Sequence, residues 1–91
     1  MKIEKVAGEQ AMWYHKTKLG YFWIVESEDN HEYTMGLDDD SLGHYKRIED
    51  AILDIQHQTT GHLKWDASKG ITVPEDVHEW VEGEPDNWNK F

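Results

Sequence analysis

Carboxylates are the commonest chemically active side chains in this chain: Asp and Glu supply 19 of its 91 residues, against 9 Lys and Arg. They crowd into its middle. Glu26, Glu28, Asp29 and Glu32 stand close together, Asp38, Asp39 and Asp40 are consecutive, and Glu49, Asp50 and Asp54 follow. Residues 21–54 carry ten acids against Lys46 and Arg47, a balance of −8, whereas four Lys and two Glu give residues 1–20 a balance of +2. Carboxylates in such numbers can ligate cations, transfer protons or imitate the phosphates of a nucleic acid.

The first two chemistries lack their supporting residues. A calcium loop of the EF-hand type needs oxygen ligands at alternating positions, a central Gly and a closing Glu. Asp38–Asp40 are consecutive, Gly43 is displaced and no Glu follows at the required distance, so the run reads as a turn in which Asp caps backbone N–H groups. The 6 His never form an H-x-x-x-H pair. Asp50, Asp54 and His57, spaced i, i+4 and i+7, would share one side of a helix and offer a weak O,O,N donor set without a fourth ligand; no metal and no cofactor is expected. Cysteine is absent, which removes thiolate nucleophiles and disulfides. Ser27, Ser41 and Ser68 lack a G-x-S-x-G setting, and no glycine-rich phosphate loop occurs. A non-enzymatic protein is expected.

Phosphate imitation remains, as does a second feature, the aromatic residues. The net charge of −10 argues against direct binding to nucleic acid or to an anionic membrane. It favours a basic protein partner, whose nucleic-acid site carboxylates could occupy. Glu28, Asp29, Asp38, Asp39, Asp40, Asp50 and Asp54 would make the charge contacts, with Trp23 or Trp88 as apolar anchors. In its most specific form this is a phage-type accessory inhibitor blocking a nucleic-acid-handling enzyme or a defence complex of its host. The plain alternative for the acids is solubility. The aromatics Trp13, Tyr14, Tyr21, Phe22, Trp23, Tyr33 and Trp65 overfill one face of a small sheet. Either some are exposed as an interaction surface, as in an antitoxin-like or assembly subunit that could form a homodimer, or Trp80 or the Trp88–Phe91 tail covers them.

The elements that must hold these residues follow from apolar spacing. Met1–Val6 is a candidate strand. Ala11–Thr17, Tyr21–Val25 and His31–Leu37 read as an antiparallel meander, with turns at Lys18–Gly20 and Glu26–Asn30. In the second strand Phe22 enters the core while Tyr21 and Trp23 face out, or the reverse. Tyr33, Met35 and Leu37 share a face. Asp38–Gly43 is a loop into a helix over Tyr45–Thr60, one side of which holds Tyr45, Ile48, Ala51, Ile52, Ile55 and Thr59 and whose stop is Gly61. His62–Ala67 alternates like a fourth strand. Pro74 opens a short helix ended by Gly83. The predicted core is Phe22, Ile24, Tyr33, Met35, Ile48, Ile52, Ile55 and Trp65.

The run Leu42-Gly43-His44-Tyr45-Lys46-Arg47-Ile48-Glu49-Asp50-Ala51-Ile52 resembles the sheet-to-helix junction of small β-β-β-α domains, among them plant ethylene-response DNA-binding domains and HicB-like antitoxins. The DNA-binding family relies on arginines across its sheet, and this meander has none, so the resemblance implies a junction and not that function. The expectation is therefore one small α+β domain over residues 1–91, a three- or four-stranded antiparallel sheet packed by one main helix with a short C-terminal helix. No apolar run approaches the roughly 18 residues of a membrane span, and Met1–Gln10 lacks a leader's apolar core, so a cytoplasmic setting is expected.

Overall fold

The computed structural model describes residues 11–27 and 31–83. It is an α+β fold. Five antiparallel strands, β1 (Met12–Thr17), β2 (Gly20–Glu26), β3 (Tyr33–Leu37), β4 (Asp40–Tyr45) and β5 (Val81–Glu82), lie in the order β4-β3-β2-β1-β5. The main helix α1 (Ile48–His57) covers one face, followed by a single turn α2 (Leu63–Asp66) and a 3-10 turn at Val77–Glu79. Met1–Val6, part of the predicted turn Glu26–Asn30, and the tail from Glu84 lie outside the described residues.

Register settles which face is the core. Phe22 pairs with Leu37 and Ile24 with Met35, and directly opposed residues of an antiparallel pair share a face. All four are buried, together with Ala51, Ile52 and Ile55 of α1 and with Trp65, Val73 and Trp80. Tyr33 and Ile48 pack against this core half-buried. β1 and β2 are joined by a two-residue turn, Lys18-Leu19, which keeps the ladder in register from Met12–Val25 to Thr17–Gly20.

Four elements differ from the sequence reading. The Asp38–Gly43 segment is not a loop: only Asp38 and Asp39 turn, and Asp40 begins β4. Asp38 takes the left-handed conformation (φ 52°), which Asp tolerates better than most residues. Its carboxylate accepts the Tyr21 N–H at 2.8 Å, fastening one hairpin to the next. Tyr45 accordingly closes β4, and α1 starts three residues later than predicted.

Helix α1 also ends early. Gln58, not Gly61, adopts the left-handed cap (φ 58°). Its side-chain amide donates to the carbonyls of Trp65 at 2.7 Å and Ser68 at 2.6 Å, so stopping there ties α1 to α2. The predicted fourth strand His62–Ala67 is instead the turn α2. His62 caps it by accepting the Trp65 N–H on Nδ1 at 3.3 Å. Of the apolar alternation that suggested a strand, Trp65 is fully buried but Leu63 is 85% exposed.

The last change is in the segment after Pro74. Asp76 accepts the His78 N–H and caps only a 3-10 turn, after which Val81 and Glu82 pair with Tyr14 and Trp13. The short helix predicted from Pro74 is reduced to this 3-10 turn, and Trp80 just after it turns inward, donating Nε1–H to the Pro74 carbonyl at 3.0 Å.

The α1–α2 connection closes on Asp66. One carboxylate oxygen accepts from the Thr60 N–H and hydroxyl, and the other from the Gly61 N–H. Burial pushes its pKa up, but these bonds and the nearby His62 outweigh burial and lower it below the usual 3.8. A carboxyl held low in the fold stabilises above its unfolded pKa and loses that contribution as pH falls through its folded pKa. Asp66→Asn is expected to cost about 1–3 kcal/mol at neutral pH, the range for losing charged hydrogen bonds. The gap to wild type should close below pH ~4. Urea denaturation at several pH values checks it; a gap independent of pH would remove the ionised carboxylate from the account.

Candidate functional site

Among the described residues, no helix or strand packs over the sheet face turned away from α1. β1 contributes Met12, Tyr14 and Lys16 to it, β2 Tyr21, Trp23 and Val25, β3 Thr34 and Gly36, β4 Ser41 and His44, and β5 Val81, as the cross-strand pairs require. None of these strand positions is Asp or Glu, in a chain with 19 acids. Lys16, Ser41 and His44 are exposed and Val81 is 50% exposed, while Tyr14, Tyr21, Val25 and Thr34 are half-buried. The Tyr14 and Tyr21 rings meet edge-on at 5.7 Å, and the Lys16 ammonium sits 5.9 Å from the Tyr21 ring centre. Such packing leaves these aromatics less conformational freedom to lose on binding.

Trp23 belongs to this face but is not a projecting anchor. It is 5% exposed: its ring lies over Gly36, and its Nε1–H donates to the Asp38 carbonyl at 2.8 Å. It forms the floor of the face. Trp80, the sequence's other candidate cover, lies with the core on the α1 side, its ring 5.7 Å from His15. Burial there lowers the pKa of His15.

The acids stand at the margins. Asp38 and Asp39 form the β3–β4 turn at one end, and Asp40 begins β4. Glu26 ends β2 at the other, where burial first, then Glu26 and Glu49, raise the pKa of Tyr33. Exposed Glu82 ends β5.

The candidate contact residues are thus divided. Asp38 is bonded to the neighbouring hairpin, as above. Asp39 makes no hydrogen bond or ion pair with any described residue, and Asp40 lies 3.6 Å from His62 Nε2. Asp50 is exposed on α1, in the layer behind the open face. Asp54, also on α1, is half-buried: it accepts the Tyr45 hydroxyl at 2.7 Å and the Thr59 hydroxyl at 3.1 Å. Burial and this bond raise the pKa of Tyr45 far above the usual tyrosine range. Glu28, Asp29 and Trp88 lie outside the described residues. Among the described residues no three His, Asp or Glu side chains group as metal ligands, so Asp50, Asp54 and His57 are not assembled into a donor set.

An open cleft of about 570 Å³ lies beside the β1–β2 turn, lined by Lys16, Thr17, Lys18, Gly70, Ile71 and Thr72. Among the described residues its lining includes no acid and no His. Sequence reasoning missed the acid-free face because its members come from five strands, and only the register brings them together. The alternation of Tyr21, Trp23 and Val25 was the visible signal.

Among the described residues no helix is long and apolar enough to cross a membrane. No protein-family model, curated protein or solved structure matches the chain.

Proposed function

We propose that the chain is a non-enzymatic, cytoplasmic binding protein that docks a protein partner on the open sheet face and selects for basic residues around it. The observation that carries this reading is that, among the described residues, no strand position on that face is Asp or Glu while carboxylates gather at its ends. Apolar and aromatic centres with charged rims are the usual anatomy of a protein interface. The rim steers a basic partner and sets the on-rate, while the desolvated centre holds it. In the phage-type form of this reading, Asp39 and Asp40 take the place of phosphates in the partner's nucleic-acid site.

The test compares capture of partner from host lysate at about 0.1 M and 0.5 M salt, between which surface charges lose most of their reach. Tyr21→Asp and Val81→Asp place a carboxylate on the face, and each is expected to abolish capture at both salts while the chain stays folded by circular dichroism. Asp39→Asn with Asp40→Asn is expected to weaken capture at the lower salt alone. Capture unaffected by Tyr21→Asp and Val81→Asp refutes the docking face. Capture lost only with the Asp39 and Asp40 changes, and displaced by added DNA or RNA, moves the contact to the acidic turn and supports phosphate imitation.

A further inference from the structure

We propose that two copies of this chain pair antiparallel through the free edge of β4, joining their sheets into one. The sheet has two edges: β5, with two residues, and β4, with six. On its outer side β4 makes no backbone hydrogen bond to any described residue. An edge strand presents a row of unpaired N–H and C=O groups, ready to pair with another strand.

The charges along this edge select the occupant. Asp39 and Asp40 stand at its start, Lys46 and Arg47 just past its end, and Ser41–Tyr45 between them carries no Asp, Glu, Lys or Arg. Antiparallel pairing of two copies about a twofold axis at Gly43 sets Asp40 of each against Lys46 of the other, and Asp39 against Arg47. A parallel arrangement in register sets like charge against like. Directly opposed side chains on neighbouring strands lie about 4.5–5.5 Å apart at Cβ, close enough for opposite charges to attract. The edge is therefore most complementary to itself in this antiparallel register, where both Asp40–Lys46 and Asp39–Arg47 pairs form; a one-residue slip leaves only one such pairing.

Little inside the chain competes. Lys46 and Asp39 pair with no described residue. Arg47 lies 3.5 Å from Glu49 and Asp40 3.6 Å from His62, and the Arg47, Glu49 and Asp40 side chains are each more than 60% exposed. Pairs so exposed are weak. Asp54 on neighbouring α1 is held by Tyr45 and Thr59. The mutual repulsion of two chains of charge −10 is screened beyond about 8 Å at physiological salt, which spares contact pairs. The register breaks at Leu42, which packs toward the core; this bulge keeps the ladder short and the dimer weak. The proposal does not depend on the docking face, which the dimer would leave open on two adjoining copies.

Sedimentation at physiological salt, over micromolar to millimolar protein, tests it. The wild-type mass is expected to rise from 10.7 kDa toward twice that value. One variant carries Asp39→Lys and Asp40→Lys; a second carries Lys46→Glu and Arg47→Glu. Each has an edge of a single sign and is expected to remain monomeric alone. Mixed in equal amounts the two should associate, because every pair across the axis is then opposite in charge. The proposal is overturned by a wild-type mass fixed at the monomer value, by variants that dimerise alone as the wild type does, or by a folded mixture that stays monomeric.

Discussion

Trp65→Ala is expected to lower stability by about 3–5 kcal/mol, the range for truncating a buried aromatic. A domain of this kind has only about 5–15 kcal/mol in total, and at roughly 4–8 °C per kcal/mol the Tm should fall by more than about 12 °C. The side chain is 0% exposed. Its ring meets Phe22 edge-on, 4.7 Å between centres and 78° between planes. Its Nε1–H donates to the Ile55 carbonyl near the end of α1 at 2.8 Å. One residue thus joins the sheet, α1 and α2. Trp65→Phe separates the contributions, since it keeps most of the buried area and removes the hydrogen bond, and it should cost about 1 kcal/mol. Urea denaturation of both variants checks this. A Trp65→Ala protein within 1 kcal/mol of wild type would show that Trp65 does not hold the core.

What the sequence revealed and what it hid divide along the range of the interaction. The meander and the apolar side of α1, with Ile52 and Ile55 buried, follow from periodicity, which is local; that Phe22, Ile24 and Met35 rather than Tyr21 and Trp23 face α1 is fixed by register and by α1 itself. β4 was hidden because Asp, Ser and Gly have low strand propensity. It forms because Leu37, Gly36 and Met35 offer a ladder and because Asp38 fastens the turn to Tyr21. α2 was hidden because a three-residue apolar alternation cannot tell strand from turn. Its cap is a His accepting through Nδ1, outside the Ser, Thr, Asp and Asn set that marks helix starts. The same limit governed the site. The density of acids was plain, but that Asp38 and Asp54 would serve internal hydrogen bonds, and that one sheet face would be free of acids, depended on register.

Gly36→Val links the fold to that face and carries the second-largest expected effect. A Cβ at Gly36 would run into the Trp23 ring on one side and the Asp40 backbone carbonyl on the other. Neither yields cheaply: Trp23 is held by its hydrogen bond to the Asp38 carbonyl, and Asp40 by its pairing with Leu37. Overpacking of this kind costs about 1–3 kcal/mol, and two rigid neighbours place Gly36→Val at the upper end. Each kcal/mol lowers Tm by roughly 4–8 °C in a domain of this size. Gly36→Ala discriminates between the two obstacles. If the indole is the one that moves, it swings out onto the open face, and Trp23→Leu should restore most of the lost Tm in the Gly36→Ala background. If the carbonyl is decisive, Trp23→Leu restores nothing and β4 must shift, which should also disturb the free edge. A Gly36→Val protein that melts with the wild type would mean that Trp23 does not lie flat on β3, and the shape assigned to the docking face would fall with it.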